Sequence, residues 1–215
     1  MLSRTRSSVA GVAALILLAL GGLSCTQYDY TSPLPGILEV RFAVKNTRPE
    51  LLPFGTLDTL TGTQNFFIQT LAQLRALQPN DLKLDMYASL VAIRRNPDGD
   101  AFNCLDIAAR DSNLVLGIAY APPATYDRIQ LLITPQPAVV ISYGFYQTFQ
   151  PVIREGIPQD LVELPLAGQP RVSIPVQEGR TTRVVVTYDM DEGLEQRSEW
   201  YRYHQTFSIT SITML

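Results

Sequence analysis

The stretch "LEVRFAVK" (Leu38–Lys45) alternates apolar and polar side chains and decides the predicted fold. Every second residue from Leu38 to Val44 is apolar, and charged residues such as Glu39 and Arg41 stand between them. Successive side chains of a β-strand point to opposite faces of a sheet, so this spacing places one face in a core and the other in water. We therefore predict a half-buried strand here.

Further stretches outward from this one repeat the pattern. They include "LKLDMYASLVAI", "YDRIQLLI", "AVVISY", "RVSIPV", "RTTRVVVTY" and "TFSITSI", separated by turn signals such as "APPAT", "LAGQP", "QEGR" and the hairpin-like "NPDGD" (Asn96–Asp100). Short strands with such punctuation are typical of an antiparallel β-sandwich or a barrel. We predict a mainly β chain with an antiparallel β-sandwich of prealbumin-like or immunoglobulin-like type. Pro175 lacks a backbone donor, so its strand should be an edge or should end there.

One segment follows a different period. In "TQNFFIQTLAQLRALQP" (63–79), Phe67, Leu71, Leu74 and Leu77 recur at spacings of four and three, and Pro79 follows. This spacing predicts one short amphipathic helix inserted after the first strand. A helix that covers one open end of the sandwich is favoured over a helix that docks a partner.

Length and charge limit the classes of function. The chain has 215 residues, of which 46% are hydrophobic, so it can bury one substantial core; we expect a single domain over residues 36–215. Without residues 1–24 it loses Arg4 and Arg6 and keeps 15 basic residues against 20 acidic ones. A nucleic-acid-binding protein needs a clustered basic surface, so we exclude nucleic acid as a partner.

The N-terminus predicts export. Two arginines precede an apolar run of 15 residues, Val9–Leu23, and small residues precede Cys25. A membrane-spanning helix needs about 20 apolar residues, so residues 1–24 are typical of a cleaved signal peptide.

The residues "GLSC" (Gly22–Cys25) resemble the lipobox of bacterial lipoproteins, although Gly22 stands where leucine is usual. The resemblance implies that Cys25 carries the lipid (palmitate among its acyl chains) and becomes the first residue of a membrane-anchored protein. Residues 25–35, polar and proline-containing, then form a tether. Thr26 follows the cysteine where aspartate signals inner-membrane retention in enterobacterial lipoproteins, so the resemblance favours the cell outer membrane.

The body of the chain also resembles a family of bacterial lipoprotein domains of unknown function. The matching pieces are "GILEVRFAV", "APPATYDRIQLLI", "RVSIPVQEGRTTRVVVTYDMD" and "TFSITSI", between Gly36 and Ile212. The resemblance implies a prealbumin-like or carbohydrate-binding-like fold and carries no activity.

Two groups of residues are candidate ligand sites. Trp200, Tyr201 and Tyr203 in "EWYRYH" would form an aromatic platform for a sugar if their rings were exposed, although strand aromatics are more often core. Asp189, Asp191 and Glu192 in "YDMDEGLE" have oxygens that Ca²⁺ prefers, but Gly193 is out of step with a calcium loop, which favours a solvated acidic turn.

Catalytic signatures are weak. His204 is the only histidine and has no nucleophile motif nearby. Cys104 has no cationic neighbour within five residues, so we expect a buried small hydrophobe. We expect no cofactor and a non-enzymatic, lipid-anchored envelope protein with a structural, ligand-binding or protein-binding role. A carbohydrate-binding module around Trp200 is the alternative, and an envelope hydrolase ranks third.

Overall fold

A computed structural model describes residues 32–48, 63–86, 92–95, 101–135, 138–143, 146–154, 160–197 and 200–215. The strands lie within the compact unit Pro33–Leu215. None of the helices in these described ranges is long and apolar enough to cross a membrane.

The described part is mainly β, as the alternating stretches predict. In chain order its strands are β1 (Gly36–Lys45), β2 (Thr63–Asn65), β3 (Phe67–Leu77), β4 (Lys83–Asp85), β5 (Ala92–Arg95), β6 (Ala101–Asn103), β7 (Asn113–Ala121), β8 (Ala124–Tyr126), β9 (Arg128–Pro135), β10 (Ala138–Tyr143), β11 (Tyr146–Arg154), β12 (Asp160–Leu164), β13 (Ile174–Val176), β14 (Thr181–Asp189), β15 (Leu194–Gln196), β16 (Tyr201–Tyr203) and β17 (Phe207–Met214). Two short helices, α1 (Cys104–Ala109) and α2 (Met190–Gly193), lie between strands.

The first sheet has the strand order β17-β14-β1-β7-β5. β1 is its centre, and the predicted inward residues Leu38, Val40 and Phe42 are buried. β1 runs parallel to β14, with Val40 beside Val184, whereas β7 and β17 pair antiparallel with their neighbours. The purely antiparallel sheet that we predicted is therefore wrong for this pair, because a period of two residues gives the face of a strand and not its direction.

Two further sheets and one strand pair complete the described part. The second sheet has the order β15-β16-β11-β10-β2, with β11 parallel to β16, and the third has the order β12-β9-β3-β4, with β6 also paired to β3. The strand with Pro175, β13, pairs only with β8 among the described strands, which confirms the prediction that it is an edge. The predicted hairpin turn Asn96–Asp100 lies outside the described residues; β5 and β6 on either side of it pair with β7 and β3 instead of with each other.

The predicted helix between residues 63 and 79 is wrong, because this segment forms β2 and β3. Its glutamine, leucine and alanine residues are good helix formers, but β3 bonds to β9 along one edge and to β4 and β6 along the other. A register shift between Thr70 and Leu74 interrupts the alternation and leaves apolar residues at spacings that imitate a helix. Long-range pairing overrides local propensity here.

Aromatic rings join the sheets in the core. The ring centroid of Phe42, on β1, lies 5.5 Å from that of Phe102, on β6, and 6.4 Å from that of Phe207, on β17. Cys104 at the start of α1 is fully buried and free, which confirms its prediction as a buried residue. Burial raises the pKa of its thiol, so it stays protonated.

Candidate functional site

A solvent-facing groove of about 470 Å³ lies beside the beginning of β9. Its lining comes from the turn after β3, from the residues that open β9 and from the loop that follows β12: Pro79, Asp81, Asp127, Arg128, Pro165, Leu166, Ala167, Gly168, Gln169 and Arg171. The volume lies in the range of small-molecule sites, which combine apolar walls with a few polar groups.

Arg128 occupies the floor of this groove. Its guanidinium donates to Asp81 Oδ1 at 2.6 Å, to Asp127 Oδ1 at 3.0 Å and to Glu163 Oε1 at 3.3 Å, and also to the carbonyl oxygen of Gln78 at 3.0 Å. The bonds to Asp81 and Asp127 raise the pKa of Arg128 further, so the group is always charged. Four of its five N–H donors are used within the protein, so we assign Arg128 a positioning role.

The loop after β12 forms the rim of the groove. It begins with a cis peptide bond between Leu164 and Pro165. The side chain of Gln169 braces it, since Oε1 accepts from the backbone of Leu166 at 3.1 Å and Nε2 donates to the carbonyl of Phe207 at 3.0 Å. At Gly168 the backbone has a φ of +88°, which a glycine adopts without strain.

Arg171 is the exposed cation of the rim. Within the described ranges its side chain has no hydrogen bond or ion pair to another residue. An unpaired guanidinium next to proline and leucine walls suits a ligand with one anionic group and an apolar part. No serine, threonine, cysteine or histidine is among the lining residues named above.

The predicted aromatic platform is not formed. Tyr201 and Tyr203 are buried, and only Trp200 is half exposed. Tyr203 stacks on Tyr188 with their ring centroids 5.9 Å apart, and burial raises the pKa of Tyr201 to about 12. Side chains alternate between the two faces of a strand, so Tyr201 and Tyr203, which lie two positions apart on β16, both point inward. These two rings therefore fill the core and cannot stack on a sugar.

The carboxylates of the acidic turn make structural contacts within the protein instead of forming a calcium loop. Asp189 caps α2 by accepting from the backbone of Asp191 at 3.1 Å, and its other oxygen accepts from Lys45 Nζ at 2.6 Å. The Asp191 carboxylate accepts from the backbone of Thr47 at 2.9 Å, while Glu192 is exposed. No group of three potential ligands in the described ranges could hold a metal ion.

Close packing around the turn explains why position 193 is a glycine. A side chain at Gly193 would overlap the ring of Tyr188 and the hydroxyl group of Thr206. Arg48 donates to the carbonyls of Met190 at 2.7 Å and Leu194 at 3.1 Å, which fixes the turn to the end of β1. The turn thus joins the ends of β1 and β14.

His204 is not among the residues that line the groove. His204 is partly exposed, and its Nε2 lies 3.4 Å from Glu195 Oε2. Cys25 lies outside the described residues, so lipid attachment there stays a prediction. Sequence reasoning missed the groove, because the partners of Arg128 come from positions 81, 127 and 163 and leave no spacing signal.

No protein-family model, no curated protein and no solved structure matches this chain.

Proposed function

We propose that this chain is a lipid-anchored binding protein of the bacterial cell envelope, with no enzymatic role and with the outer membrane as its favoured site. The body is a β-sandwich, of the prealbumin-like or carbohydrate-binding-like type that the sequence resembles. Contact between Phe42 on the first sheet and Phe102 beside the third supports two stacked layers. The groove between Arg128 and Arg171 carries the proposal of binding, since Arg128 is already paired and Arg171 has no partner among the residues that the structure describes.

The anchor is proposed at Cys25. The chain has two cysteines, and Cys104 is fully buried with a raised thiol pKa, so it is a poor acceptor for an acyl group. Ten residues, 26–35, lie between Cys25 and the first strand, and a fully extended chain of that length spans up to about 36 Å.

Palmitate labelling in cells tests the anchor. Label should enter the wild type and Cys104→Ala equally and should be lost in Cys25→Ala, which should also leave the membrane fraction. Label that persists in Cys25→Ala would contradict the anchor.

A titration with simple carboxylates tests the groove. We use hexanoate as the probe and hexanol as its uncharged counterpart, and follow backbone amide signals by NMR. Hexanoate should shift the signals of Gly168 and Arg171, hexanol should not, and Arg171→Ala should abolish the effect. Arg110→Ala is the matched control, because Arg110 is an exposed arginine directly after α1 that pairs with Asp106. An equal response to hexanoate in Arg171→Ala and in the wild type would reject the site.

A further inference from the structure

An uncharged row of side chains crosses the outer face of the first sheet at the end where β1 begins. We define the row as Tyr120, Ile37, Thr181 and Leu215. Ile37 pairs with Tyr120 of β7 and with Thr181 of β14, and the backbones of Thr181 and Leu215 exchange hydrogen bonds at 2.8 and 3.4 Å. Directly paired residues of neighbouring strands share a face, so these four side chains form one line.

The row faces solvent within the described structure. Its sheet neighbours Leu38, Ala119 and Thr182 point the other way and are buried. Tyr120 is 50% exposed and Leu215 is 51% exposed, although both are large hydrophobic residues. The next row on the same face of the sheet holds Glu39 and Arg183, whose side chains are charged.

The chain enters the domain at this same place. Leu34, just before β1, is 65% exposed, and the carbonyl of Pro35 accepts from the backbone of Gly179 at 3.4 Å. The turn that holds Gly179 leads directly into Thr181, and its Arg180 is exposed. The described chain therefore begins beside the row.

We propose that the uncharged row, together with Leu34, rests on the bilayer that holds the lipid of Cys25. This inference depends on the proposed anchor. Random-coil statistics give a chain of eleven residues an end-to-end distance of about 16–20 Å, a length that would keep the row close to the membrane surface. A tether this short supplies an effective concentration in the millimolar range, so the contact can be weak and still be occupied.

The composition of the row suits the boundary between headgroups and acyl chains. Tyrosine has an apolar ring and a polar tip and favours this boundary, and leucine adds apolar area that water would otherwise cover. Exposed Arg180 beside the row is positioned to meet lipid phosphates, whereas Glu39 is already paired with Arg41 and Arg183.

Fluorescence in reconstituted vesicles tests the inference. The full-length lipoprotein is expressed as Tyr120→Cys or as Leu161→Cys, extracted, labelled with a nitrobenzoxadiazole maleimide and placed in phosphatidylcholine–phosphatidylglycerol vesicles. Leu161 is the matched control, because it is 53% exposed and lies on β12 of another sheet. Cys104 is buried, so the label enters the introduced cysteine.

We expect blue-shifted emission and quenching by nitroxide lipids at position 120 and neither effect at position 161. Equal responses at the two positions, or no response at 120 in protein that sediments with the vesicles, would overturn the docking inference and leave the anchor intact. A blue shift at 120 that lipid nitroxides do not quench and that grows with protein concentration would overturn it in favour of a second copy of this chain. Protein that does not sediment with vesicles and carries no acyl group would overturn both proposals.

Discussion

Two charge clusters of this domain have opposite compositions. On the outer face of the first sheet, one carboxylate, Glu39, lies between two guanidinium groups, those of Arg41 and Arg183. At the groove, one guanidinium, Arg128, lies among the carboxylates of Asp81, Asp127 and Glu163. Glu39 is only 7% exposed, whereas the side chain of Arg128 is 24% exposed and that of Asp81 is 73% exposed.

The difference in burial separates a stabilising cluster from a binding region. Charged pairs that water reaches contribute little to the free energy of folding, while an enclosed charge depends on its partners. The first cluster ties β1 to β14 at the register pair Glu39 and Arg183. The second lines an open groove, where Arg171 has no partner within the described part of the chain.

Truncation of Glu39 should have the largest effect on stability. Glu39→Ala leaves Arg41 and Arg183 close together without their shared anion. Because both guanidinium groups reach water in part, we expect a loss of about 2–3 kcal/mol in the free energy of unfolding. Urea denaturation measures it, with Glu178→Ala as an exposed control that should stay near the wild type. Equal midpoints for the two variants would contradict the enclosed role of Glu39.

Loss of Arg128 should cost less. Arg128→Met keeps much of the side-chain volume and removes the bonds to three carboxylates and to the carbonyl of Gln78. Since the Asp81 and Glu163 side chains are exposed to water, we expect a loss of about 1–2 kcal/mol in the same denaturation experiment. A loss larger than that of Glu39→Ala would reverse the comparison between the two clusters.

Acid should reduce the contribution of Glu39. Burial alone would raise its pKa, but the hydrogen bonds from Arg41 and Arg183 outweigh burial and hold the pKa below its usual value of 4.5. A carboxylate whose pKa is lowered in the folded state stabilises the protein above pH 4.5. This stabilisation is lost as the pH falls through the pKa of the folded state. The stability gap between the wild type and Glu39→Gln should therefore narrow between pH 5 and pH 3. A stability gap that is constant over this pH range would show that the ionised carboxylate of Glu39 is not the source of the difference.

Arg171→Ala should change stability least. The side chain is exposed and unpaired in the described structure, so we expect a change within about 0.5 kcal/mol in the free energy of unfolding. Loss of hexanoate binding with unchanged stability would separate binding at the rim from folding. A destabilisation of 2 kcal/mol or more would assign Arg171 a structural role instead.

The sequence predicted the faces of strands better than their partners. Alternation placed Leu38 and Val40 inward, and Pro175 marked an edge, because both follow from local geometry. The strand β3 and the parallel pairing of β1 with β14 depend on residues far away along the chain, so local spacing could not predict them. The prediction of an aromatic platform failed for a related reason, since the alternation of side chains on β16 points Tyr201 and Tyr203 towards the core.

Mass spectrometry of the N-terminal peptide of the mature protein, purified from envelope membranes, is the decisive test of the lipid anchor. We expect Cys25 to be the first residue and to carry the mass of a diacylglyceryl group, and we expect no acylation of the peptide that contains Cys104. A mature chain that begins at another residue and carries no acyl mass would contradict the lipid anchor and the membrane contact built on it.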